Sequence, residues 1–173
     1  MSTSRRGSLQ AEIKQSRPFQ SPGQEATLAL RRTASVIGRV IGRVIEPSGL
    51  SLAQYNALRI IRGAGTSGIP TLAIRDRMVE EGTTITRLLD KLETAGYIRR
   101  ERSVPDRRQV ICYVAPDGKK LMDKLDPLVD DADADVMAAL SAKQVEQLID
   151  LLDIVRAANA EKGAPRSDRS STG

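Results

Sequence analysis

The chain of 173 residues is 40% hydrophobic, carries a net charge of +5, and contains one cysteine and no histidine. That length suits one compact domain or a core domain with appended helices, and it is too short for a barrel enzyme. Without histidine the usual zinc sites and Ser-His or Cys-His catalytic pairs cannot be built, the lone Cys112 forms no internal disulfide, and four aromatics (Phe19, Tyr55, Tyr97, Tyr113) make no base-stacking platform.

Charge is unevenly spread. Residues 51–115 carry 11 basic and 7 acidic side chains, whereas residues 116–161 carry 5 and 11. A basic centre suits a polyanion and an acidic end is repelled by one, so the chain is expected to present one face to nucleic acid and keep the other away. No run of ~18 uncharged apolar residues marks a membrane span, and residues 1–20 lack the apolar middle of a signal peptide, so a cytoplasmic location with no membrane partner is the expectation.

In chain order, residues 1–22 mix Ser, Gln, Arg and Pro and read as a disordered basic arm. A helix follows over 24–46, with Leu30, Ala34, Ile37, Ile41 and Val44 near helical spacing, until Pro47 and Gly49 stop it. Within it Val36-Ile37-Gly38-Arg39 repeats as Val40-Ile41-Gly42-Arg43, which sets two glycines one turn apart at a cost of roughly 1 kcal/mol each relative to Ala. Close approach of another helix, from a partner subunit or from the same chain, would justify them.

Ser51 caps a second helix, ended by Gly63, Gly65 and Gly68, and Pro70 at a first helical position opens a short helix from Thr71 to about Val79. Thr83 to Ala95 forms the next, with Ile85, Leu88, Leu89 and Leu92 inward and Gly96 as its left-handed stop. Two helices joined by a short glycine-containing turn outline a helix-turn-helix. The period then changes to strand: residues 97–102 and 110–114 make a two-stranded hairpin with a charged tip. Pro116 opens a long helix with Leu121, Leu125, Leu128, Ala132, Val136 and Leu140 on its apolar stripe, and Ser141 with Gln144 forms a capping box for a last helix whose apolar face is Val145, Leu148, Ile149, Leu152 and Val155. Residues 162–173 read as a disordered tail.

On the fourth helix the inward leucines leave Thr83, Thr84, Thr86, Arg87 and Lys91 outward. Hydroxyls there can bond base edges or phosphates, and Arg87 or Lys91 can take a phosphate or a guanine edge; Thr83 serves equally well as a helix cap. At the hairpin tip Arg107 and Arg108 are candidates for DNA contact, with Asp106 fixing the turn and orienting a guanidinium. Arg75, Arg77, Arg99, Arg100 and Arg102 are further candidates for flanking phosphates. Cys112, mid-strand among apolar neighbours, reads as a core residue, and Asp130, Asp131, Asp133 and Asp135 read as a solvated helix face with no metal.

Between Leu50 and about Ala158 the chain resembles the multiple-antibiotic-resistance regulator (MarR) family of winged helix-turn-helix transcription factors. The carrying motifs are Ile85-Thr86-Arg87-Leu88-Leu89-Asp90-Lys91-Leu92-Glu93-Thr94-Ala95-Gly96-Tyr97-Ile98, then Asp106-Arg107-Arg108, then Pro116-Asp117-Gly118. They match the family's recognition helix, its Asp-x-Arg wing and its wing-to-helix junction, although Ala115 stands where the family usually has a capping Thr. The resemblance implies a mainly α fold with a small β-hairpin: an N-terminal dimerisation helix (23–50), a winged helix-turn-helix (51–115) and C-terminal dimerisation helices (116–161). It also implies that Arg108 enters a minor groove, that double-stranded DNA is the partner of a homodimer acting on a pseudo-palindromic operator, and that the protein is a repressor rather than an enzyme. It needs no cofactor, and an aromatic or phenolic small molecule acting from the cleft beside the dimer helices is the implied effector. The competing reading is a winged-helix module that binds protein without specific DNA binding.

Overall fold

The computed structural model describes residues 8–79, 84–104 and 106–160. It divides into two compact units, Met1–Asp133 and Ala134–Gly173.

In the first unit, α1 (Ser8–Glu12) stands within the segment expected to lack structure; its Leu9 is buried and its Glu12 pairs with Arg32 at 2.7 Å. Too short for a helical period, it leaves no trace in the hydrophobic pattern. α2 (Pro22–Ile45) begins two residues earlier than its apolar period suggests, because Pro22 needs no N–H partner at the first helical position and Ser21 Oγ accepts from the Gln24 backbone N–H at 3.2 Å. A 3₁₀ turn over Glu46–Ser48 and Gly49 at φ +78° end it. Ile41 and Ile45 are buried, whereas Leu30, Val36 and Val40 are exposed.

α3 (Leu52–Gly63) starts at a full capping box, with Ser51 Oγ accepting from the Gln54 N–H and Gln54 Oε1 accepting from the Ser51 N–H. It buries Tyr55, Ala57, Leu58 and Ile61 at the centre of the core. Next comes β1 (Ile69–Pro70), which pairs antiparallel with the hairpin and makes the sheet three-stranded where a two-stranded one was expected. Two residues cannot display an alternating pattern, so only the distant partner reveals this strand. Pro70 accordingly sits at the N-cap of α4 (Thr71–Arg75), not inside it. α4 is shorter than expected: the Arg77 and Met78 N–H groups turn to the carbonyls of Ile74 and Arg75 in i→i−3 bonds, which close the last turn.

α5 (Ile85–Thr94) has Thr84 at its N-cap without a side-chain cap bond, so it starts later than the expected Thr83, which lies outside the described residues. It buries Leu88, Leu89 and Leu92, and Gly96 at φ +75° turns the chain into β2 (Ile98–Arg102). β3 (Val110–Val114) runs between β2 and β1, pairing Arg100 with Cys112 and Ile69 with Cys112. α6 (Pro116–Met137) continues through Pro127. Its buried stripe is Gly118, Met122, Leu125, Val129 and Ala132. Leu128, on the apolar stripe read from the sequence, is 52% exposed, whereas Met122 and Val129 are buried.

The second unit holds the end of α6 and α7 (Ala142–Ala157), whose Ser141–Gln144 capping box forms as expected. No side chain of α7 is buried; Ile149, Leu151, Ile154 and Val155 are 51, 61, 65 and 48% exposed.

Candidate nucleic-acid interface

α5 is amphipathic by sequence, so once its leucines enter the core its other positions must face water. Thr84, Thr86, Arg87 and Lys91 are all exposed. Neither Arg87 nor Lys91 has an acidic partner among the described residues.

At the wing, Asp106 organises the turn. Its Oδ1 accepts from the Arg108 backbone N–H at 3.0 Å, its Oδ2 accepts from Gln109 Nε2 at 3.1 Å, and its carbonyl accepts from the Gln109 N–H at 2.9 Å. A short acidic side chain bonded to the backbone two residues on is a standard way to hold a tight turn. The carboxylate holds the backbone rather than a guanidinium, and the Arg107 and Arg108 side chains are exposed with no ion-pair partner among the described residues.

A surface groove of about 620 Å³ runs between α4, α5 and the wing, lined by Thr71, Leu72 and Asp76 on one side, Thr86 at the recognition helix, and Arg100, Arg108 and Gln109 on the hairpin. Thus Thr86 and Arg108, far apart in sequence, border one concavity.

Other arginines are committed elsewhere. Arg100 donates from Nε and Nη2 to Glu93 Oε2 at 2.8 and 2.6 Å, and from Nη2 to Asp90 Oδ1 at 2.6 Å. The same arginine beside Glu93 holds that carboxyl below its usual range. Arg99 pairs with Glu101 and lies 4.1 Å from the centroid of the Tyr113 ring, while Arg75 pairs with Asp76 at 3.2 Å. Arg77 and Arg102 are exposed. Cys112 is fully buried, and burial pushes its thiol up.

Helices α2, α3 and α6 border a second cavity of about 180 Å³, lined by Ile41, Leu52, Tyr55, Met78 and Val129, with Asn56, Arg59 and Asp133 as polar groups. These lining residues carry no local signature in the sequence, because they come from separate helices. Tyr55 is nearly buried, its hydroxyl donates to Asp126 Oδ1 at 3.0 Å, and Arg62 pairs with the other oxygen of Asp126. Burial first, and then the Asp126 carboxylate, push the Tyr55 phenol from 10.0 up to about 12. Between pH 10 and 12 the unfolded chain ionises this phenol and the folded chain does not, so stability is complete below pH 10 and falls as pH rises through the interval, by about 2 kcal/mol. Tyr55→Phe should flatten this alkaline decline in denaturant titrations; parallel profiles for the two proteins would show that the phenol does not govern it.

A helix-turn-helix followed by a β-hairpin wing, with β1 added at the edge of its sheet, defines this molecule as a winged helix-turn-helix protein. Residues 50–110 match the model of the MarR family. A MarR transcription factor from Planctomyces limnophilus is 33% identical, with a TM-score of 0.61 over 79% of this chain and 98% of that one. Transcriptional regulator HosA of Escherichia coli O157:H7 is 28% identical over 107 residues, covering 62% of this chain and 78% of HosA. Staphylococcus aureus MepR, solved as a DNA complex, is 19% identical with a TM-score of 0.71 over 76% of this chain and 96% of MepR. The chain belongs to the MarR family and is a transcriptional regulator.

Proposed function

We propose that the protein is a homodimeric repressor that binds a pseudo-palindromic operator, with α5 in successive major grooves and the wing in the flanking minor grooves. The observation that carries this reading is the single groove bordered by Thr86 on α5 and Arg108 on a wing turn held by Asp106. Thr84, Thr86, Arg87 and Lys91 then meet base edges and phosphates, and Arg107 and Arg108 supply charge to the minor groove, where narrow A·T stretches attract arginine. Thr83 belongs to the same proposal from the sequence alone. MepR's complex with DNA supports the same use of the fold.

Dimerisation is supported by unfilled surface. A Cβ on Gly42 would meet nothing within 4 Å and one on Gly38 only Leu52 at 3.9 Å, so no approach within the chain requires these glycines. They floor an open groove on α2 beside the basic Arg39 and Arg43, whereas residues 116–161 are acidic and end in the exposed apolar face of α7. A second copy complements both, and two-fold pairing sets the recognition helices roughly 34 Å apart for adjacent turns of one duplex face. The effector, an aromatic or phenolic acid, enters the cavity beside Tyr55, where Arg59 takes its carboxylate and the apolar walls take its ring; comparable volumes accept a benzene-sized guest. Its binding shifts the spacing of the recognition helices and releases DNA.

The test is a titration against a duplex selected by the protein from a randomised pool and against its scrambled version, at two salt concentrations, with stoichiometry read by sedimentation. Two chains per duplex and a preference of at least about 10³-fold for the selected sequence are expected. Weak, sequence-blind binding would favour the protein-binding module, and a stable monomer at micromolar concentration would remove the dimer.

A further inference from the structure

Glu93 and Asp90 lie on the recognition helix, and Arg100 lies on the first wing strand, across the turn at Gly96. Three charge-assisted bonds join the Arg100 guanidinium to these carboxylates, and a fourth bond runs from the Arg100 backbone N–H to Glu93 Oε1 at 3.1 Å. Glu93 therefore grips both the side chain and the main chain of one residue, which fixes the strand's position along the helix as well as its distance from it. Only 23% of the Arg100 side chain is exposed, and it also lines the groove shared by Thr86 and Arg108. A partly buried, multiply bonded pair of this kind is rigid, unlike the exposed pairs Arg75–Asp76 and Lys120–Asp117.

We propose that Glu93 and Arg100 are positioning residues for DNA recognition: they lock the wing to the recognition helix so that base-reading and minor-groove interactions are made together. The proposal rests on the DNA-binding reading above and adds the element that sets selectivity. It reverses the simple electrostatic expectation. Removing a carboxylate from a helix that faces a polyanion should tighten binding to any DNA, whereas removing a positioning carboxylate weakens binding to the preferred sequence alone.

The experiment compares the full-length protein with Glu93→Gln and Arg100→Lys on the selected and scrambled duplexes, with thermal unfolding recorded alongside. Glu93→Gln should bind the selected duplex about tenfold more weakly while binding the scrambled one as well as or better than the parent. Arg100→Lys, which keeps the charge but removes the fork, should reduce selectivity in the same direction by a smaller factor. A purely structural role would lower affinity for both duplexes by one common factor, in step with the folded fraction. Equal changes on the two duplexes, in either direction, or no change, overturn the proposal. If the parent itself selects no duplex, the DNA-binding reading fails first and takes this one with it. Should Glu93→Gln not fold, Arg100→Lys alone decides by the same ratio.

Discussion

Replacing Gly118 with alanine is expected to cost about 3 kcal/mol and to lower the thermal midpoint by roughly 6–12 °C. Gly118 is the third residue of α6, and a Cβ there would stand 2.1 Å from the Tyr97 carbonyl oxygen, 2.9 Å from its carbon and 3.1 Å from its Cα. All three are main-chain atoms, so no side-chain rotation relieves the clash. Nor can Tyr97 retreat: its N–H bonds the Leu92 carbonyl at 3.0 Å and its carbonyl accepts from the Ala115 N–H at 2.9 Å. The first turn of α6 must instead move off the sheet, loosening Met122 and Leu125, both core residues. Glycine is required here for room and not for a left-handed backbone, which separates it from Gly96 at φ +75°. Gly63→Ala is the control, since a Cβ there meets nothing within 4 Å, and it should leave the midpoint within about 2 °C. Thermal unfolding of the two variants checks the argument, and a Gly118→Ala protein as stable as its parent would mean that α6 does not pack so closely on Tyr97.

What the sequence discloses and what it hides divide along physical lines. Caps are local chemistry, so Ser51 and the Ser141–Gln144 box are readable from a few adjacent residues. The hairpin and α5 carry strong periods of their own, and both stand close to where the pattern sets them. β1 is invisible in the sequence because its existence depends on Cys112 and Ile111, some forty residues away. The buried stripe of α6 shares Leu125 and Ala132 with the apolar stripe read from the sequence but takes Val129 in place of Leu128, since both are apolar and only the packed core chooses between them. Pro-Asp-Gly can be matched to a family junction, yet its reason, the carbonyl of Tyr97 against Gly118, is an approach of distant segments. The same holds for Arg100, which the sequence offers as one of five arginines free for phosphate and which the fold ties to Glu93 and Asp90.

Arg108→Ala and Arg87→Ala are expected to differ in kind as well as in amount. Both side chains are exposed, so neither substitution should disturb the fold. A wing arginine in the minor groove supplies charge and a reading of groove width, so Arg108→Ala should weaken many sequences alike. It should also reduce the magnitude of the slope of log affinity against log salt by roughly one for each guanidinium withdrawn from the duplex. A dimer gives up two of them. The Asp106 bonds to the Arg108 N–H and to Gln109 do not use the Arg108 side chain, so the turn survives the substitution and the measurement reports the guanidinium alone. Arg87 projects from a helix whose leucines are locked in the core, and if it meets a base edge its removal should cost about 1–3 kcal/mol per half-site on the selected duplex and much less on the scrambled one. A salt series for each variant on both duplexes separates the two roles. Should Arg108→Ala leave affinity and slope unchanged on both, the wing does not touch DNA, and the exposed hairpin is better read as a surface for another protein.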